Sequence, residues 1–97
     1  MITRIVKMEF EPSKVADFKE IFREIRNNIT SFEGCLHLKL LQSLDQDNVF
    51  FTYSKWEHPD NLEAYRNSPF FADTWKRTKA LFQAKAQAWS VEEPQLS

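Results

Sequence analysis

Hydrophobic and polar residues alternate along the first segment of the chain, from Ile2 to Phe10. This period of two predicts a β-strand with one apolar side, on which Arg4 is the charged exception. From Pro12 onward the apolar residues recur every three or four positions, which predicts a helix with one continuous apolar stripe. The stripe consists of Val15, Phe18, Phe22, Ile25, Ile29 and Phe32. Gly34, the only glycine, is placed to end this helix in a left-handed conformation.

Two further strands are predicted, from Cys35 to Ser43 and from Val49 to Trp56, with a turn between them rich in Asp and Asn. In the second strand the alternation places Leu36, Leu38 and Leu40 on one face and Cys35, His37, Lys39 and Leu41 on the other. The third strand has apolar side chains on both faces. A single layer of helices therefore leaves one apolar face in water, so we expect a second covering layer.

The last third of the chain predicts two helices and one strand. Asp60 and Glu63 have the spacing of a capping box at the start of a short helix. Ser68 followed by Pro69 is typical of a helix start, and this helix is expected to run to about Ala84. A final strand is predicted near residues 86–92.

The resulting order β-α-β-β-α-β is that of a ferredoxin-like α+β fold, with an antiparallel sheet and helices on one face. Burial of the opposite face requires a second copy packed sheet against sheet. We therefore expect a homodimer.

Composition narrows the choice of partners. The chain has 97 residues, which allow one domain over residues 1–97, and residues 93–97 have the composition of a loose tail. The net charge of −1 comes from interspersed signs, which argues against a nucleic-acid partner. Apolar runs are too short for a signal peptide or a membrane span. The one cysteine cannot form a disulfide within the chain, which is typical of a protein in a reducing compartment. We expect a cytoplasmic protein without a membrane partner.

Motifs for common catalytic chemistry are missing from the sequence. A chain with one glycine cannot form a Gly-rich phosphate or dinucleotide loop. Cys35, His37 and His58 are the only soft metal-ligand candidates, and a surface histidine with a small core cysteine explains them better than a metal site. We predict no metal and no cofactor.

The segment from Trp56 to Trp75 concentrates large aromatic rings, and it anchors a family resemblance. The stretches EFEPSKVADF, FEGC, KWE and LEAYRNSPFF occur in that order. The chain thereby resembles the antibiotic biosynthesis monooxygenase superfamily of dimeric α+β barrels. The resemblance implies a pocket between sheet and helices. In some members that pocket oxidises phenolic or quinol substrates with molecular oxygen and without metal or flavin.

Only some of the family's functional residues have a counterpart in this sequence. Trp56 matches the Trp that ends the family's third strand, and this match implies a pocket wall. Thr52 stands where some members have Asn, while Tyr65 and Phe70 stand where many have His, so the proton-transfer roles of those histidines do not carry over. Trp75 occupies the position of the iron-ligating His of the haem-degrading branch. Since Trp has no lone pair to offer iron, haem degradation is disfavoured.

Two functional hypotheses remain at this point. The first is a cofactor-independent monooxygenase for a small phenolic or quinol-like substrate, and the second is a non-catalytic dimeric barrel that binds a small aromatic ligand. No catalytic residue is assigned. The predicted pocket residues are Arg4, Thr52, Trp56, Tyr65, Phe70 and Trp75. For Arg4 two interpretations stay open: a terminal residue that reaches water, or a charge that faces the pocket.

Overall fold

The computed structural model describes residues 1–96 of the chain. Within this range the strands are β1 (Ile2–Glu9), β2 (Cys35–Gln42), β3 (Val49–Trp56) and β4 (Gln87–Val91). The helices are α1 (Val15–Thr30), α2 (Pro59–Arg66) and α3 (Pro69–Lys79), and a turn of 3-10 helix at Pro12–Lys14 precedes α1. The tail expected over residues 93–97 has no helix or strand as far as Leu96, and Ser97 lies outside the described residues.

The sheet has the strand order β2-β3-β1-β4, and every neighbouring pair is antiparallel. This order, with the helices after β1 and β3, confirms the predicted ferredoxin-like α+β fold. The central pair, β1 with β3, is in register over its full length from Ile2 opposite Trp56 to Glu9 opposite Val49. Side chains of both central strands therefore alternate in step between the two faces.

The helices cover one face of the sheet, and the core lies beneath them in two clusters. At one end Phe10 stacks on Phe18 with ring centroids 4.1 Å apart, and Phe50 packs edge-on against both rings. At the other end Trp56 is completely buried among Ile25, Ile29 and other aliphatic side chains. Close ring packing of this kind stabilises a fold beyond the area that it buries.

The opposite face of the sheet has no covering layer within residues 1–96. Register and alternation place on it Ile5, Leu41, Phe51, Tyr53, Trp89 and Val91. Trp89 and Val91 are 44% and 47% exposed, although both are large and apolar. We refer to these six residues as the open face.

A β-bulge changes the predicted faces of β2. Cys35 pairs with Trp56 and His37 pairs with Lys55, so Leu36 is an extra residue between two consecutive partners on β3. As a result Cys35 packs against the buried cluster, whereas Leu36 is 51% exposed. The prediction that Leu36 shares the apolar face of Leu38 and Leu40 was wrong, because strict alternation does not hold across a bulge.

The helix starts were predicted partly correctly. Ser68 caps α3 as expected, since its hydroxyl accepts a hydrogen bond from the Phe71 N–H at 3.1 Å. The capping box at Asp60 was wrong: the cap of α2 is His58, whose Nδ1 accepts from the Asp60 N–H at 3.1 Å. An imidazole with an unprotonated Nδ1 fills the role of the carboxylate.

The second long helix ends earlier than predicted. Helix α3 ends at Lys79 rather than near Ala84, because the following residues pair with the end of β1. Phe82 forms a β-bridge with Phe10, and the Glu11 N–H donates to the Leu81 carbonyl at 3.0 Å. Helix α1 likewise ends at Thr30, and Gly34 follows in the turn with a φ of 81°. The glycine therefore serves the turn into β2 rather than the helix terminus itself.

Candidate functional site

A small cavity of about 90 Å³ lies between the sheet and helices α1 and α3. We call it the inner cavity. Its floor comes from β1 and β3 through Val6, Met8 and Thr52. Its remaining walls are Phe18, Phe22, Ile25, Ile29, Tyr65, Phe71, Thr74, Trp75 and Thr78. The lining is almost entirely apolar, as is usual for pockets that hold small aromatic molecules.

Four lining residues carry hydroxyl groups, but two of these groups are already engaged. Thr74 donates to the Phe71 carbonyl at 3.2 Å, and Thr78 donates to the Thr74 carbonyl at 2.8 Å. Both bonds lie within α3, where threonine side chains commonly bond the preceding turn. Thr52 and Tyr65 are therefore the lining hydroxyls best placed to serve a ligand.

Tyr65 reaches the inner cavity from α2 and is held among other rings. It stacks on Trp56 at 5.2 Å between centroids and meets the edges of Phe32 and Phe71 at 5.0 and 5.1 Å. Burial raises the pKa of Tyr65 well above its usual range, and the nearby Cys35 thiol contributes in the same direction. Tyr65 is thus a neutral hydrogen-bond donor at physiological pH and not a base.

A second space of about 260 Å³ adjoins the inner cavity on the side of β4. We call it the vestibule. Both spaces are lined by Val6, Phe71 and Trp75, so these side chains form a shared boundary. Phe71 and Trp75 are nearly parallel, with an interplanar angle of 9° and centroids 5.9 Å apart. The other residues of the vestibule are Arg4, Leu62, Arg66, Ala86 and Ala88.

The structure brings together four of the six predicted pocket residues. Thr52, Tyr65 and Trp75 line the inner cavity, and Trp75 also lines the vestibule together with Arg4. The side chain of Arg4 therefore lies on the pocket side, where one of its Nη atoms donates to Ser90 Oγ at 2.9 Å.

Trp56 and Phe70 do not line either space. Trp56 has no exposed surface and lies behind Tyr65, with its indole N–H bonded to Ser54 Oγ at 3.0 Å. Phe70 points toward Phe32, with centroids 5.7 Å apart, because it follows Pro69 at the first turn of α3 on the side facing α1. Their predicted place in the pocket is corrected to a supporting layer around Tyr65.

Most of the lining residues were not predicted from the sequence, and Phe71 and Arg66 are the two that matter most for the site. Phe71 belongs to the apolar stripe of α3. Helical periodicity is the same for a residue that packs in a core and for one that lines a cavity. Arg66 is the last residue of α2 and has the sequence context of an ordinary exposed charge. Its place in the vestibule depends on how α2 lies over the sheet, which no local pattern reveals.

Metal-ligand chemistry finds no support at this site. His37 is exposed on the side of the open face, 6.2 Å from the Tyr53 ring, whereas Cys35 lies on the helix side. Their predicted position on one strand face was wrong because of the bulge at Leu36. Among residues 1–96 there is no group of three or more His, Cys, Asp and Glu side chains arranged to hold a metal ion. In the same range none of the helices is both long and apolar enough to span a membrane.

Known structures share this fold over almost the whole chain. A crystal structure of an antibiotic biosynthesis monooxygenase superposes with a TM-score of 0.91 at 14% identity and covers 98% of this chain and 100% of its own. A conserved protein from Methanosarcina mazei gives a TM-score of 0.90 at 17% identity, over 97% and 94% of the two chains. A Mycobacterium tuberculosis protein gives 0.87 at 12% identity, over 99% and 97%. At such identities these similarities establish the fold alone.

Family membership is established by the sequence. No curated protein gives a significant match to it. The model of the family described as antibiotic biosynthesis monooxygenase matches residues 1–77, which include β1 to β3, α1, α2 and most of α3. Thr52, Tyr65, Phe71 and Trp75 all fall within the matched residues. The chain belongs to the antibiotic biosynthesis monooxygenase family.

Proposed function

We propose that the protein is a cofactor-independent monooxygenase that oxidises a small phenolic or quinol-like substrate. The observation that carries this proposal is the ring-lined inner cavity, which has two hydroxyl donors and lies beside a larger vestibule. An electron-rich aromatic that binds as its phenolate, after releasing its proton to solvent, can itself transfer an electron to oxygen. The protein then has to exclude water, orient the ring and stabilise the phenolate.

The lining residues are suited to these tasks. The apolar walls exclude water, and Phe71 and Trp75 offer flat surfaces against which a planar ligand can stack. Thr52 and neutral Tyr65 can each donate a hydrogen bond to a phenolate oxygen. Charge-assisted hydrogen bonds of this kind are roughly twice as strong as neutral ones, and they are stronger again in a dry cavity.

The size of the two spaces indicates how a ligand fits. The inner cavity is smaller than the roughly 150 Å³ cavity that accommodates benzene in a well-characterised engineered protein. A substituted ring therefore occupies the inner cavity only if part of the molecule extends past Phe71 and Trp75 into the vestibule. Together the two spaces reach the lower end of the usual range for small-molecule pockets, about 300–1,000 Å³.

The proposal includes a homodimer formed through the open face. Support comes from its large side chains, because residues 1–96 leave Leu41, Trp89 and Val91 44–47% exposed and cover Ile5, Phe51 and Tyr53 only in part. Burial of each large apolar side chain contributes about 1.5–3 kcal/mol, so this face strongly favours a second sheet packed against it. Sedimentation velocity provides the test, and a stable monomer at micromolar concentration would contradict this part of the proposal.

Activity is tested by oxygen uptake with a panel of hydroquinones and no added cofactor. The informative variant is Thr52→Val, which removes the hydroxyl and keeps the shape of the side chain. We expect it to lower the rate by about tenfold, the value of one hydrogen bond to a charged oxygen. Thr30→Val is the matched control, because Thr30 lies outside the inner cavity and its hydroxyl is bonded within α1, and its rate should stay near wild type. Absence of uptake across the panel would reject the proposal.

One observation favours a second function, a non-catalytic barrel that binds a small aromatic ligand. In the part of the chain that the structure describes, Tyr65 is the one titratable residue lining the inner cavity, and its raised pKa removes it from proton transfer near neutrality. The test separates binding from turnover. A ligand that binds with a one-to-one stoichiometry and consumes no oxygen would favour this function over the monooxygenase.

A further inference from the structure

The vestibule contains two guanidinium groups in an otherwise apolar space. Arg4 lies on β1 opposite Ser90 of β4, and Arg66 ends α2 on the other side. The other lining residues, which include Leu62 and Ala88, are uncharged, and the indole N–H of Trp75 is the one polar side-chain group among them. Charged side chains are rarely placed in such surroundings without a partner.

Within residues 1–96 neither guanidinium has hydrogen-bond partners for all of its N–H donors. Arg4 is bonded to Ser90 Oγ at 2.9 Å, but a guanidinium has five N–H donors. Arg66 approaches Glu63 at 3.6 Å, and this pair is exposed, with 41% of the Arg66 side chain accessible to solvent. Exposed pairs of this kind are weak. Glu63 does not line the vestibule and instead borders the neighbouring surface groove.

The two positive charges also disfavour each other. Burial lowers the pKa of Arg4, and the positive charge of Arg66 lowers it further, while Glu63 acts in the opposite direction. The vestibule lining thus carries two guanidinium charges and no carboxylate, while Glu63 and Glu92 border the neighbouring groove that Arg66 also lines. A carboxylate bound in the vestibule would offset this positive charge and use the free donors, often in the paired geometry that arginine offers to a carboxylate.

We propose that the vestibule binds a carboxylate substituent of the aromatic ligand, held by Arg4 and Arg66, while the ring of the ligand occupies the inner cavity. This inference rests on the proposed function, because it assumes an aromatic ligand in the inner cavity. It specifies the substrate class as aromatic acids. Because the two spaces share Val6, Phe71 and Trp75 in their linings, a molecule that occupies both has to pass beside these side chains or displace them.

The test compares hydroquinone with dihydroxybenzoate, which is the same ring carrying one carboxylate. Both are titrated by calorimetry under nitrogen at neutral pH, so that binding is measured without turnover. We expect dihydroxybenzoate to bind at least about tenfold more tightly, as charge-assisted hydrogen bonds typically provide. The preference should fall to near one in Arg66→Gln and in Arg4→Gln, while the affinity for hydroquinone stays unchanged. Arg77→Gln is the control, because Arg77 pairs with Glu24 away from the vestibule.

Defined outcomes would overturn the proposal. Equal affinities in the wild-type protein, no binding of either probe, or a preference that persists in Arg66→Gln would each do so. Arg66 is exposed at a helix end, so its substitution should leave the fold intact even where Arg4→Gln does not. Oxygen uptake remains a separate readout: an arginine-dependent preference without uptake would reject the monooxygenase alone, and uptake without a preference would reject the carboxylate site alone.

Discussion

Substitution of Trp56 by Phe tests whether this residue lines the pocket or supports the core. The indole is completely buried, donates to Ser54 Oγ at 3.0 Å and stacks on Tyr65. Phenylalanine retains an aromatic ring and much of the volume, but it loses the N–H and the second ring. If Trp56 supports the core as the structure shows, the substitution should mainly reduce stability, and the ligand should still reach the inner cavity.

The expected loss of stability can be worked from these contacts. Removal of the N–H leaves the buried Ser54 hydroxyl without this partner, which costs about 1–3 kcal/mol. The missing ring leaves a small void beside Tyr65 and weakens the stack, which adds about 1 kcal/mol. We therefore expect Trp56→Phe to lower the free energy of unfolding by about 2–4 kcal/mol. This is a large fraction of the roughly 5–15 kcal/mol available to a small domain.

Urea unfolding followed by far-ultraviolet circular dichroism measures this loss, at one fixed protein concentration because dimerisation would add to the apparent stability. Leu44→Ala is the control, because Leu44 is fully exposed, and it should change stability by less than about 0.5 kcal/mol. Adding Ser54→Ala to Trp56→Phe should cost less than the sum of the two single effects, since the partners interact. Additive effects, or a loss below about 0.5 kcal/mol for Trp56→Phe, would refute the buried hydrogen bond.

Three further predictions concern the turn, the tyrosine and the open face. Gly34→Ala should destabilise the protein by at least about 1–2 kcal/mol in the same unfolding assay, because φ is 81° and a Cβ would overlap the Asn61 side chain. As pH rises above about 10, Tyr65 ionises in the unfolded chain before it does in the folded protein, because its folded-state pKa is raised. The free energy of unfolding should therefore fall more steeply with pH in wild type than in Tyr65→Phe. Equal slopes of unfolding free energy against pH in alkaline urea titrations would contradict the raised pKa. Phe51→Asp should convert a dimer to a monomer in sedimentation velocity, and an unchanged dimer would place the interface elsewhere.

Features that depend on local sequence were predicted well. The strand Val49–Trp56 was predicted with both of its ends correct, because turn residues mark its start and the alternation of side chains continues to its end. The cap at Ser68 followed from the chemistry of Ser before Pro, which needs no tertiary contact. The fold class followed from the order of such elements, since few topologies accommodate it.

Features that depend on the approach of distant segments were not predicted. The bulge at Leu36 reverses the face of Cys35, and it reflects pairing with β3 rather than the composition of β2. His58 replaces Asp60 as the helix cap through a side-chain orientation that a sequence does not specify. Arg66 lies near Arg4 only because α2 and β1 border the same space. The sequence left Arg4 with two interpretations, and the placement of its side chain toward the helices favours the pocket.

The position of the cavity follows from the sizes of the side chains that meet between sheet and helices. At the end containing Phe10 and Phe18, rings from strands and helices meet one another at 4.1–5.8 Å and fill the space. Near Trp75 the rings of the helices face smaller side chains, Val6 and Thr52 on the sheet and Thr78 on α3 itself. Rings opposite small residues leave a gap, whereas rings opposite rings do not. The same abundance of aromatic residues thus produces a solid core around Phe10 and, beside it, a chamber that Phe18 and Phe22 also line. A functional hypothesis for this protein begins from this chamber.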